Sequence, residues 1–159
     1  MHCISTFTLA PLSSTGPDGL PCSELVQHGK PTGLRLPGVS LDGQFTVHPG
    51  VLLLVKDDVP HDECLQLFLL SPRLAVLEEA ELGAPYTPGL VRGLAPDAEG
   101  CDLLDFSFAG EELRLQVHGT PRRMRDGLLQ RPLRRLLAPK YLAIFAKPRA
   151  ARASTGQHA

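Results

Sequence analysis

Side chains able to handle a phosphorylated ligand are strung along the whole chain. Arg35 follows Gly33 in Pro31-Thr32-Gly33-Leu34-Arg35-Leu36. Arg73 sits in Ser71-Pro72-Arg73-Leu74-Ala75, Tyr86 closes Leu82-Gly83-Ala84-Pro85-Tyr86, and Lys147, Arg152 and Ser154-Thr155-Gly156 lie near the C-terminus. A guanidinium grips phosphate oxygens in pairs and an ammonium acts as a point charge. Hydroxyls and glycine amides can line an anion cradle. A second group, Asp57, Asp58, His61, Asp62 and Glu63 with Cys64 and His48, can be drawn as a metal site. Its spacing matches no recognised ligand set, and it reads as a solvated acidic turn. No Ser/His/Asp or Cys/His arrangement announces a nucleophile.

These residues must be positioned by β-strands. Leu104, Phe106 and Phe108 alternate with polar residues, and Leu113, Leu115 and Val117 do so after Ala109-Gly110, which predicts a hairpin with one buried face. Leu65–Leu70 and Leu74–Leu82 flank Ser71-Pro72-Arg73 in the same way. Val51–Val55 is a continuous apolar run suited to a strand buried on both sides. With 15 Gly and 15 Pro punctuating such segments, the pattern predicts an all-β sandwich, jelly roll or barrel. Residues 122–137 differ: Met124, Leu128, Leu129, Leu133, Leu136 and Leu137 recur at helical spacing among arginines, broken by Gly127 and Pro132, which predicts short helical turns. Tyr141–Phe145 reads as a last strand. Residues 1–146 form one domain on this reading, followed by a basic tail over 147–159 that is expected to be mobile.

Length and composition exclude several classes. The chain has 159 residues, 43% hydrophobic and 21% charged, the size and make-up of one globular domain. No apolar run approaches the roughly 20 residues of a membrane span, and the first residues lack the basic leader of a secretory signal. Cys3, Cys22, Cys64 and Cys101 are far apart without a C-x-x-C pair, so reduced thiols in an intracellular protein of the cytoplasm or nucleus are expected. The net charge of −1 hides an asymmetry: residues 1–121 hold 6 basic and 16 acidic groups, and residues 122–159 hold 10 basic groups against Asp126. The basic segment can dock on an acidic body of its own or a neighbouring subunit. Nucleic-acid binding is disfavoured there, because Tyr141 and Phe145 are its only aromatics.

In this order the segments resemble the five motifs of the trimeric dUTPase family, over about residues 7–156. Thr46-Val47-His48-Pro49-Gly50 leading to Leu54-Val55-Lys56-Asp57-Asp58 matches the family's scaffold, and Gly110–Val117 is similar to its fourth motif. The resemblance implies a jelly roll or distorted barrel, a homotrimer, and a last strand paired with a neighbouring subunit. It implies nucleotide-binding remnants at Arg73, Tyr86, Lys147, Ser154, Thr155 and Gly156. It also implies degenerate motif positions. Arg35 stands where the family has an acidic residue that helps hold metal-bound triphosphate, and Gly83 where it has the Asp that orients water. Arg152 replaces the stacking Phe, and Gly33 is retained beside Arg35.

A guanidinium cannot hold Mg²⁺, and loss of a general base costs on the order of 100-fold or more in rate. The expected function is therefore that of a protein derived from a dUTPase, of the kind some large DNA viruses carry, that has lost catalysis, needs no cofactor and binds a host or cellular protein. The alternative is a diverged deoxynucleotide pyrophosphatase using Mg²⁺, with Asp57, Asp58 or Asp105 as substitute base.

Overall fold

The computed structural model describes residues 1–16, 19, 21–57, 64–83, 89–97, 101–123 and 140–147. Among them are twelve strands: β1 (His2–Cys3), β2 (Phe7–Thr15), β3 (Pro21–Gln27), β4 (Lys30–Pro37), β5 (Ser40–Val47), β6 (Gly50–Lys56), β7 (Cys64–Leu70), β8 (Val76–Gly83), β9 (Arg92–Pro96), β10 (Leu103–Phe108), β11 (Glu111–Arg122) and β12 (Lys140–Ala146). They form three antiparallel sheets, ordered β1-β5-β6-β7-β8, β12-β11-β10-β9 and β2-β3-β4. The all-β expectation holds. The sheets are open, and among the described residues none closes into a barrel.

Side-chain alternation explains how the sheets stack. Leu52 and Leu54 of β6, with Leu65, Leu67 and Leu69 of β7, join Leu104, Phe106, Leu113, Leu115, Val117 and Leu142 of the four-stranded sheet in one core. Leu53 and Val55 of β6, with Phe68 and Leu70 of β7, join Phe7, Leu25 and Leu36 of the three-stranded sheet in a second. The five-stranded sheet is thus a middle layer. Register enforces this, because Leu52 pairs with Leu69 and Leu54 with Leu67 on one face, and Leu53 with Phe68 on the other. The run at residues 51–55 is buried on both sides as its sequence predicts, and β7 shares that position.

The connections are short. Phe108 pairs with Glu111, leaving Ala109 and Gly110 at φ 52° and 81° as a two-residue turn, the left-handed pair that a tight hairpin requires. Val47 pairs with Gly50 around a cis His48-Pro49 bond. A Cβ on Gly50 would collide with the Leu70 carbonyl, so glycine lets β6 and β7 meet at that end. Ser71 caps the β7–β8 turn, its hydroxyl accepting the Ala75 N–H.

One C-terminal boundary is revised. Arg122 closes β11 opposite Lys140 and is therefore strand, whereas residues 124–137 of the expected helical segment lie outside the described residues. The strand expected at Tyr141–Phe145 is β12, which pairs with β11 of its own chain at one edge of the four-stranded sheet. Among the described residues no helix is long and apolar enough to cross a membrane.

Truncation inside the double-sided layer should be costly. Leu54 is fully buried, so Leu54→Ala is expected to lower the unfolding free energy by about 2–5 kcal/mol, measured by urea denaturation.

Candidate functional site

One end of the middle sheet gathers polar groups. β6 ends at Lys56, β7 begins at Cys64 and β8 ends at Gly83, with Cys64 and Gly83 in register. Asp57, 3% exposed, accepts the Cys64 N–H on Oδ1 at 3.1 Å and ties the two strand ends together. One row inward, Val55, Gln66 and Glu81 lie side by side on adjacent strands. The Gln66 amide donates to Glu81 Oε2 at 2.9 Å, and its own carbonyl oxygen is buried without a hydrogen-bond partner. By alternation this row shares its face with Phe68 and Leu70, the side covered by the three-stranded sheet. An unpaired buried acceptor costs about 1–3 kcal/mol.

Arg73 lies elsewhere, exposed in the β7–β8 turn. The seven residues of β7 separate it from Gly83 by about 20 Å. Gly33 and Arg35 are exposed on β4, since Leu34 and Leu36 take the core side. Gly33 adopts φ 80° and donates its N–H to Glu24 Oε1, and Arg35 is the cross-strand partner of Glu24. Within one chain the structure thus brings Asp57 and Gly83 to one sheet end and leaves Arg73 at the other. Tyr86, Arg152, Ser154, Thr155 and Gly156 lie outside the described residues. Asp58, His61, Asp62 and Glu63 of the acidic loop do as well. His48 precedes the opposite end of β6 from Asp57, about 20 Å of strand away.

Lys147 is occupied. Its ammonium lies 2.6 Å from Asp105 Oδ2, and its N–H donates to the Glu112 carbonyl, adding one rung beyond β12. Arg114, directly across from Asp105 on β11, forks onto both carboxylate oxygens at 2.7 and 2.9 Å. The Arg114 bonds, reinforced by Lys147, hold the Asp105 carboxyl far below the usual carboxylate range despite partial burial. A carboxylate so stabilised is a poor proton acceptor. His118 is pushed below its ordinary value, first by burial and then by the positive charge of Arg122.

Several structural roles escape a sequence reading. Glu78 of β8 accepts the N–H groups of Tyr141 and Leu142, tying the start of β12 to the middle sheet. Asp102 bonds the His48 N–H and the Met1 amine, each at 3.0 Å. Gln66 had one visible signal, a polar amide inside Leu65-Gln66-Leu67-Phe68. Among the described residues no three His, Cys, Asp or Glu side chains stand together as a metal site. No family model, curated protein or solved structure matches the chain.

The Asp105 cluster sets a pH dependence. Its folded carboxyl titrates below the unfolded value of about 3.9, so its stabilisation is present above that value and is lost as pH falls below it. Asp105→Asn is expected to flatten the acid limb of the stability curve below about pH 4, read as melting temperature against pH.

Proposed function

We propose that the chain is a dUTPase-derived protein with jelly-roll ancestry that has lost catalysis. It acts as a protein-interaction or regulatory factor, of the kind large DNA viruses direct at host proteins. In this reading it is an intracellular homotrimer of the cytoplasm or nucleus. The observation that carries the reading is the state of Asp105. A carboxylate considered as a substitute base is clamped by Arg114 and Lys147, and the second of these is itself one of the expected phosphate-binding groups. Each neutralises the chemistry of the other.

Other placements support the same reading. Asp57 is buried and used to close the β6–β7 connection. Arg35 is paired across strands with Glu24, and Gly83 brings no side chain to the sheet end beside Asp57. Arg73, Gly83 and Lys147 belong to different places on one chain, so a nucleotide pocket drawing on all of them would have to be assembled between copies.

Two measurements on one sample test this: mass in solution, and hydrolysis of dUTP with and without Mg²⁺. The expected result is a mass near three times 17.2 kDa with no turnover. A monomer overturns the trimer, and turnover at ordinary enzymatic rates overturns the loss of catalysis. Turnover that disappears in Asp57→Asn would instead establish the diverged Mg²⁺-dependent pyrophosphatase, since Asp57 is the described carboxylate beside Gly83.

A further inference from the structure

An open sheet leaves backbone N–H and C=O groups unpaired along its edges, and a chain that stays single blunts such edges with proline, charge, irregularity or shortness. Among the described residues six strands are edges, and five of them are blunted. β1 is two residues long, and β2 carries Pro11, where its pairing with β3 shifts register. β4 carries Pro31, Pro37 and Gly33 at φ 80°. β9 has five residues with Gly93 at φ 65° and Pro96, and β8 carries Glu78, Glu79 and Glu81. β12 has none of these devices. Between Lys140 and Lys147 it runs Tyr141, Leu142, Ala143, Ile144, Phe145 and Ala146, without proline, glycine or charge.

The register shows which groups of β12 face outward. Lys147 donates its N–H to the Glu112 carbonyl, so Glu112–Lys147, Arg114–Phe145 and Gln116–Ala143 are the hydrogen-bonded pairs with β11. The N–H and C=O groups of Leu142, Ile144 and Ala146 therefore point away from the sheet. Glu78 takes the Leu142 N–H, and among the described residues no group takes those of Ile144 and Ala146. Phe145, between them, is 46% exposed.

We infer that the β12 edge pairs, antiparallel, with β12 of a second copy of this chain about a two-fold axis at Phe145. That register sets Ile144 of each copy opposite Ala146 of the other, so the outward N–H and C=O groups of both close four backbone hydrogen bonds. Phe145 meets its counterpart in the non-hydrogen-bonded pair between them, where side chains stand closest. One patch serves both sides, as a two-fold contact requires. No like charges meet, because Lys147 falls opposite Ala143 of the other copy and is already bound to Asp105. Glu78 holds the Leu142 N–H and limits the ladder to these rungs. So short a contact forms and separates with concentration. It doubles whatever assembly the chain otherwise makes, and so stands or falls separately from the three-fold association proposed above.

The test is sedimentation equilibrium of the full chain from micromolar to millimolar concentration. The expected result is a doubling of mass as concentration rises, from one chain to two, or from three to six where the trimer also forms. Ala146→Pro removes one outward N–H and no bond to β11, a change edge strands tolerate. It is expected to abolish the doubling without lowering the melting temperature of the dilute protein. Phe145→Cys places two thiols across a non-hydrogen-bonded pair, within disulfide reach. Under mild oxidation it is expected to form a covalent pair faster than the wild type, whose exposed Cys3 and Cys101 supply the background rate. A mass independent of concentration, a doubling that survives in Ala146→Pro, or linkage of Phe145→Cys no faster than background overturns the pairing. A single chain that doubles supports it and overturns only the trimer.

Discussion

Burial of β6 and β7 on both faces is the constraint on which the rest of the structure rests. Leu52, Leu53, Leu54 and Val55 are all fully buried, as are Leu65, Leu67, Leu69 and Leu70. A strand with solvent on one side can exchange polar residues there freely, whereas these two strands can exchange almost nothing. At about 1.5–3 kcal/mol for each large aliphatic side chain, the middle layer is the main source of cohesion. The outer sheets exist to cover it. The glycine at Gly50 follows from the same demand, because β6 begins within carbonyl contact of Leu70, where β7 ends.

Polar groups near that layer are mostly consumed in holding it. Asp57 closes the connection from β6 to β7, Glu78 fastens β12 across to β8, and Asp102 gathers the β5–β6 turn and the Met1 amine. On the four-stranded sheet, Asp105 is fixed by Arg114 and Lys147. A carboxylate that must accept a proton or hold a cation cannot also be saturated by neighbouring cations. The exception is Gln66, whose carbonyl is buried without serving the fold. That contrast separates it from every other polar residue of the middle sheet described above.

Much of the framework was legible because period-two alternation survives translation into structure. The Leu104–Val117 hairpin forms with its turn at Ala109-Gly110, and the 51–55 run is enclosed as its lack of polar residues demands. β7 was less legible, since Gln66 interrupts its apolar run and disguises a strand covered on both sides. The pairings Asp105–Arg114–Lys147 and Glu78–Tyr141 were not legible at all. They join residues 9 to 63 positions apart, and nothing in a linear pattern specifies which distant charges meet. The order of motif fragments likewise says which residues occur, but not that Arg73 and Gly83 fall at opposite ends of one hairpin.

Native-state amide hydrogen exchange resolved by residue tests the central claim most directly, because opening free energies report how each strand is enclosed. The three-layer arrangement predicts that Leu52–Val55 and Leu67–Leu69 exchange slowest, only through global unfolding, with the amides of β4 and β9 exchanging faster by local opening. Exchange from β6 as fast as from those edge strands would contradict it, since a strand so exposed could not be the layer that both outer sheets cover.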